Sequence, residues 1–179
     1  MANNAKKYII TAVTLGVIAA ASAGLIGLTN LFTAKQIALN EQKRIKAGIV
    51  EIFDENVQVL DEKEVSDKAL KYTNYEYALN QGVAFRTTGS NMYGKISMLV
   101  GYTYMIRPGD TEGDYLFAGI SLIVNEQTYA STLNENYVAP LNSEKISFED
   151  VKCGATYGAT LIKDMITETN QIMEGRKAK

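Results

Sequence analysis

The sequence contains no histidine at all and a single cysteine, Cys153. Without histidine the chain lacks the usual general base near neutral pH and the commonest transition-metal ligand. That argues against a hydrolase triad and against a zinc or haem site. One cysteine allows no intramolecular disulfide, no thiolate cage and no CxxC redox pair. No metal site and no catalytic residue of the chain's own are therefore expected. Charge of one sign is also missing: 18 Lys and Arg stand against 20 Asp and Glu, a formal net charge of −2. No long basic run interleaves with aromatics, so the electrostatic footprint of a nucleic-acid binder is absent.

The sequence does contain a long uncharged stretch. From Tyr8 to Ala34 it reads "YIITAVTLGVIAAASAGLIGLTNLFTA", bounded by Lys7 and Lys35. As a helix rising about 1.5 Å per residue, this exceeds the roughly 30 Å hydrocarbon core and predicts a membrane span over 8–34. "ASA" at Ala21 to Ala23 resembles a signal-peptidase site. Cutting there would leave "GLIGLTNLF" as an exposed apolar terminus, and the run is longer than a typical signal h-region, so a retained helix is expected. Gly16, Ala20 and Gly24 recur every four residues, with Ala23 and Gly27 on a neighbouring track. Such small residues let two membrane helices approach closely. Lys6 and Lys7 on one side face Lys35, Lys43, Arg44 and Lys46 on the other, so charge does not set the orientation. The short tail 1–7 and the large domain 35–179 fit a signal-anchor with its N-terminus cytoplasmic and its domain extracytoplasmic.

Beyond the span, "KQIALNEQKRIKAGIVEIF" places Ile45, Ile49, Ile52 and Phe53 on one stripe, the pattern of an amphipathic helix resting on a domain. Residues 54–70 are acidic and polar and read as a connector with one short helical or strand turn. Between 72 and 128 the pattern turns to β. "YEYAL", "GVAFRTT", "ISMLVGYTYMI" and "LFAGISLIV" are rich in β-branched and aromatic residues, separated by the turn-forming "TTGSNMYG" and "RPGDTEGD". "TLIKDMITETNQIMEG" returns to helical spacing and predicts a last helix ending at Gly175. Strands grouped between terminal helices imply an α+β fold, an antiparallel sheet with flanking helices after a single N-terminal transmembrane helix.

The chemistry concentrates in "EDVKCGATYGATLIKDM", where Gly-Ala-Thr occurs at Gly154 to Thr156 and again at Gly158 to Thr160. A Gly-rich turn before a helix can hold an anion on its free N–H groups. No GxxxxGK[ST] and no GxGxxG is present, so neither a nucleoside-triphosphate loop nor a dinucleotide fold is supported. Taken alone, the motif reads as a turn with a threonine helix cap.

The whole segment, Asp150, two residues, a small residue, then Gly154, Ala155 and Thr156, resembles the flavinylation signal of the FMN-binding subunits of the Rnf and Nqr membrane redox complexes. In that family the final threonine is esterified to the phosphate of FMN by a dedicated flavin transferase. The resemblance makes Thr156 the acceptor and Asp150 part of what the transferase recognises. Thr160 lacks the upstream aspartate and matches the hydroxyl residue that commonly follows the signal. Cys153 stands where the family usually has Ser or Thr, which leaves open whether that side chain hydrogen-bonds but does not touch the acceptor chemistry. "LTNLFTAKQIALNEQKRIKAGIVEIF", "NMYGKISMLVGY" and "LFAGISLIVNEQT" look like further family segments. Glu126 and Thr128 match a Glu-Thr pair, here interrupted by Gln127, and "YASTL" replaces the family's Pro-Gly-Leu-Gly loop. The compact length favours the FMN-binding member of the Rnf complex over its longer counterpart in Nqr.

What the resemblance implies is an electron-transfer subunit carrying covalent FMN in an ion-translocating ferredoxin:NAD oxidoreductase. Its partners would be the other membrane subunits, multi-span ones included, and the flavin transferase. Tyr93 and Met98 are expected near the isoalloxazine ring. A flavin brings its own redox chemistry, which agrees with a chain that lacks catalytic groups. Two other readings stay open at this point: a stand-alone, membrane-anchored flavinylated protein for extracellular electron transfer, and a non-redox tethered binding domain in which the motif is only a helix cap.

Overall fold

The computed structural model describes residues 2–106, 113–143, 147–149 and 152–177. It begins with one long helix, α1 (Ala2–Ile52). Thr11, Thr14, Thr29 and Thr33 each donate a side-chain hydroxyl to the carbonyl four residues earlier, at 2.8–3.0 Å. Their polar atoms are thereby satisfied within the helix, as a lipid environment requires. From Lys6 onward α1 is long and apolar enough to cross a membrane once. The chain separates into two compact units, Met1–Lys43 and Arg44–Lys179, so the last turns of α1 belong to the folded domain.

Within that domain five strands follow: β1 (Val59–Glu64), β2 (Thr73–Leu79), β3 (Gly82–Asn91), β4 (Gly94–Met105) and β5 (Asp114–Asn125). They form one antiparallel sheet in the order β1-β2-β3-β4-β5, each strand beside its sequence neighbour. The four sequence stretches read as strands are β2 to β5. β1 lies in the acidic connector, and all six of its residues are exposed, so no apolar alternation marks it. Its charged residues at a free sheet edge discourage edge-to-edge pairing. The opposite edge is partly closed by a side chain: Asn142 accepts the Ile120 N–H through Oδ1 (3.0 Å) and donates Nδ2 to the Ile120 carbonyl (2.8 Å).

Strand alternation sends successive side chains to opposite faces, and both faces are covered. On one, Phe85, Ile96, Met98, Val100, Tyr102 and Ile120 meet the C-terminal helices. On the other, Ala84, Leu99 and Ile123 meet Ile45 and Ile49 from the end of α1. The fit there is close: a Cβ on Gly48 would lie 2.9 Å from Ser121 Oγ and 3.0 Å from Leu99 Cδ1. Ser121 Oγ also donates to Glu51 Oε2 at 2.6 Å.

After β5 come α2 (Ala130–Leu133), a π-helical turn (Asn134–Val138) and α3 (Ala139–Ser143). Together they bury Leu133, Tyr137, Val138 and Leu141. The last helix, α4 (Thr156–Lys177), continues through Gly175 to Lys177 rather than ending at that glycine. Polar side chains also fix α4 on the sheet. The Tyr102 hydroxyl, raised above its ordinary pKa by burial, donates to Asn170 Oδ1 at 2.7 Å. The Glu168 carboxylate accepts the backbone N–H groups of Lys71, Tyr72 and Thr73 and the Thr73 hydroxyl, at 2.6–3.0 Å for its shorter contacts.

Candidate functional site at the head of the last helix

The first intrahelical bond of α4 runs from the Ala159 N–H to the Ala155 carbonyl at 3.0 Å, which makes Ala155 the residue capping the helix. Alanine has no side chain to cap with. Cys153 supplies the missing order one step earlier: its Sγ accepts the Ala155 N–H at 3.4 Å and its S–H donates to the Thr132 carbonyl at 3.6 Å. Cys153 thus makes hydrogen bonds at this position through sulfur where Ser or Thr would offer a hydroxyl. The turn is tied to α2 through the same side chain.

Thr156 follows as the first residue of α4 and is exposed. Beside it lies a pocket of about 230 Å³, lined by Tyr93, Gln127, Tyr129 and the run from Gly154 to Gly158. None of these lining residues is charged. The first N–H groups of a helix have no intrahelical acceptor and carry partial positive charge, so the polar character of the site is that of donors. Gly158, also in the lining, packs closely on α2: a Cβ there would lie 3.0 Å from Leu133 Cδ2, so the leucine side chain would have to shift.

A network of amides holds the three segments together. Gln127, buried, donates Nε2 to the Gly94 carbonyl (2.6 Å) and to Asn91 Oδ1 (3.1 Å). Asn91 Oδ1 also accepts the Tyr93 N–H (2.9 Å), and Asn91 Nδ2 donates to the Tyr157 carbonyl (3.1 Å). The β3–β4 turn, the exit of β5 and the first turn of α4 are thus one unit. Gly94 closes that turn with φ +136, and a Cβ there would collide with the Glu126 carbonyl oxygen. Over the turn, the Tyr93 and Tyr157 rings lie 5.1 Å apart at an interplanar angle of 40°.

Of the residues singled out from the sequence, Tyr93, Gly154, Ala155 and Thr156 line the pocket, and Cys153 braces it. Thr160 is exposed on α4 one turn beyond Thr156, outside the lining. Glu126 and Thr128 are exposed and contribute backbone only: their N–H groups donate to the carbonyls of Lys95 (2.9 Å) and Tyr93 (3.1 Å). Between them Gln127 turns inward, as alternation along extended backbone dictates. Met98 is fully buried in the core against α4 and is not part of the pocket lining. Asp150 lies outside the described residues. Sequence reasoning passed over Gln127, Tyr129, Tyr157 and Asn91, although Asn91 sits in the turn signal "SNMYG" and Tyr157 inside the motif itself.

Among the described residues, fold and site define an α+β domain that follows one helix long and apolar enough to cross a membrane and that carries an aromatic pocket, without charged lining, at the head of its last helix. Residues 1–52 of the chain match the family model described as the RnfG N-terminal region. The match covers 52 of the 179 residues, the segment that forms α1. No curated protein and no solved structure matches the chain.

Proposed function

We propose that this protein is the electron-transfer subunit of an Rnf-type ion-translocating ferredoxin:NAD oxidoreductase, with FMN joined by a phosphoester to Thr156 in an extracytoplasmic domain. The observation that carries this reading is the exposed Thr156 at the first position of α4, on the rim of an uncharged pocket. A hydroxyl there is open to a modifying enzyme, and a phosphate attached to it would lie at the donor end of the helix, where an anion is favoured. Among the described residues the lining offers no carboxylate, amine or imidazole to activate the Thr156 hydroxyl. Attachment therefore needs an external flavin transferase, which recognises the segment around Asp150.

The pocket volume agrees with a tethered group. At about 230 Å³ it falls below the roughly 300–1,000 Å³ of sites that enclose a whole ligand. A bound cofactor would be partly uncovered, which suits exchange of electrons with other carriers and makes a covalent link valuable against loss. The flavin, once bound, supplies one- and two-electron redox chemistry. The chain's own residues hold and orient it: Thr156 as the tether, Cys153 as the brace of the turn and Tyr93 at the ring end. The small-residue track of α1 packs against a helix of a multi-span partner subunit.

The test is full-length protein co-expressed with a flavin transferase and viewed by flavin fluorescence after denaturing electrophoresis. Fluorescence should survive denaturation, persist in Thr156→Ser and Thr160→Ala, and vanish in Thr156→Ala. Asp150→Ala should lower loading while the chain stays folded. Loss in Thr160→Ala with retention in Thr156→Ala would move the acceptor, and indifference to both would overturn the flavin reading.

A further inference from the structure

Beyond the tether, three tyrosines converge on one opening. Tyr157 is 58% exposed and Tyr129 is 60% exposed, yet both line the pocket with Tyr93. Large aromatic side chains left this open around a concave, uncharged site are informative in a way that scattered surface apolar residues are not. Their positions are not accidental to the loop. The Tyr157 carbonyl is held by Asn91 Nδ2 at 3.1 Å, Asn91 is held by Gln127, and the Tyr157 ring packs 5.1 Å from that of Tyr93. Tyr157 directly follows Thr156, so its ring is within immediate reach of anything attached to that hydroxyl.

We propose that Tyr157 and Tyr129, with Tyr93 supporting Tyr157, form an aromatic slot that holds the planar ring of the flavin tethered at Thr156. This rests on the reading of Thr156 as the flavin acceptor. Aromatic faces hold flat heterocycles by stacking with little demand on their polar edges, which matches a lining without charge. A phenol in contact with a flavin also has an optical consequence. On illumination an electron passes from the tyrosine to the excited flavin and then returns, so emission is lost with no net chemistry. The slot therefore predicts a flavin that is dim in the folded protein and bright once unfolded.

The experiment compares native and denatured fluorescence of the full-length, flavin-loaded protein with that of Tyr157→Phe and Tyr157→Leu, normalised to covalent flavin content. Tyr157 is mostly exposed, so both variants are expected to fold, and normalising to covalent flavin content removes any change in loading. Native emission should rise in both variants, and several-fold once Tyr129→Phe is added, because phenylalanine keeps the ring but cannot donate the electron and Tyr129 is the second phenol of the slot. Leucine should in addition make the flavin absorption band resemble that of free FMN. Equal native and denatured emission in the wild-type protein, or a Tyr129→Phe/Tyr157→Phe double variant indistinguishable from it at full loading, would overturn the slot while leaving the tether intact. If Thr156 carries no flavin, the unloaded protein is titrated with free FMN. Saturable quenching lost in Tyr157→Leu would then uphold the slot without the tether, and its absence would overturn both.

Discussion

Gln127 places a neutral amide where the chain needs two donors in a buried position. Its Nε2 satisfies the Gly94 carbonyl at 2.6 Å and Asn91 Oδ1 at 3.1 Å. Replacement by leucine keeps most of the volume and leaves the Gly94 carbonyl without that donor. A buried polar group that loses its partner costs about 1–3 kcal/mol. Gln127→Leu should therefore lower the thermal midpoint of the full-length protein in detergent. Because the same amide orients Asn91, and Asn91 holds the Tyr157 carbonyl, covalent flavin loading should fall as well. A midpoint and loading equal to the wild type would show that the turn and α4 hold together without this network. In the sequence, Glu126 and Thr128 drew attention because they match a Glu-Thr pair, but matching residue types does not reveal which side chain of an extended segment points inward. That orientation is set by the pairing of the Glu126 and Thr128 N–H groups with Lys95 and Tyr93 across the turn, a contact between residues distant in sequence.

At the scale of elements, the last turns of α1 act as one cover of the sheet. Ile45 and Ile49 are buried against Ala84, Leu99 and Ile123, and Gly48 lets the helix backbone lie close to β5. A leucine at Gly48 would press into Ser121, Leu99 and Ile123, and overpacking of this kind typically costs about 1–3 kcal/mol. Gly48→Leu should lower the thermal midpoint with helix content retained, whereas an unchanged midpoint would mean that this end of α1 is dispensable to the domain. The stripe of Ile45, Ile49 and Ile52 was legible because one-sided burial on a helix leaves a period in the sequence. So were β2 to β5 through their apolar and aromatic runs, although β3 extends through Thr87 to Asn91 of the stretch read as a turn, and residues 107–112 of the other turn lie outside the described residues. β1 was hidden because none of its residues is buried. The helical run 130–143 was hidden because its elements are four or five residues long, too short to repeat a period. The pocket was legible only in part: Thr156 through its motif, Tyr93 through its turn, but Tyr129 and Tyr157 only once the fold brings them together.

For the whole molecule the question is what the apolar helix does besides anchor. A Cβ added at Gly16, Gly24 or Gly27 meets nothing within 4 Å, so this face of the helix is open within the chain. In a bilayer, an open track of small residues gains dispersion contacts only when another helix lies along it. On the proposed reading, an electron carrier on a tether must also stay near its donor and its acceptor, and a packed helix keeps it there at high effective concentration. Gly24→Leu is a clean test because leucine favours membrane insertion and finds no clash inside this chain. Insertion and flavin loading should match the wild type, while association with the multi-span subunits weakens and electron transfer through the assembly slows. The measurements are the yield of partner subunits recovered with tagged protein from gently solubilised membranes, and turnover of the same membranes. Full recovery with undiminished turnover would reduce the helix to a simple anchor and leave the folded domain alone to make the contacts that hold the carrier in the complex.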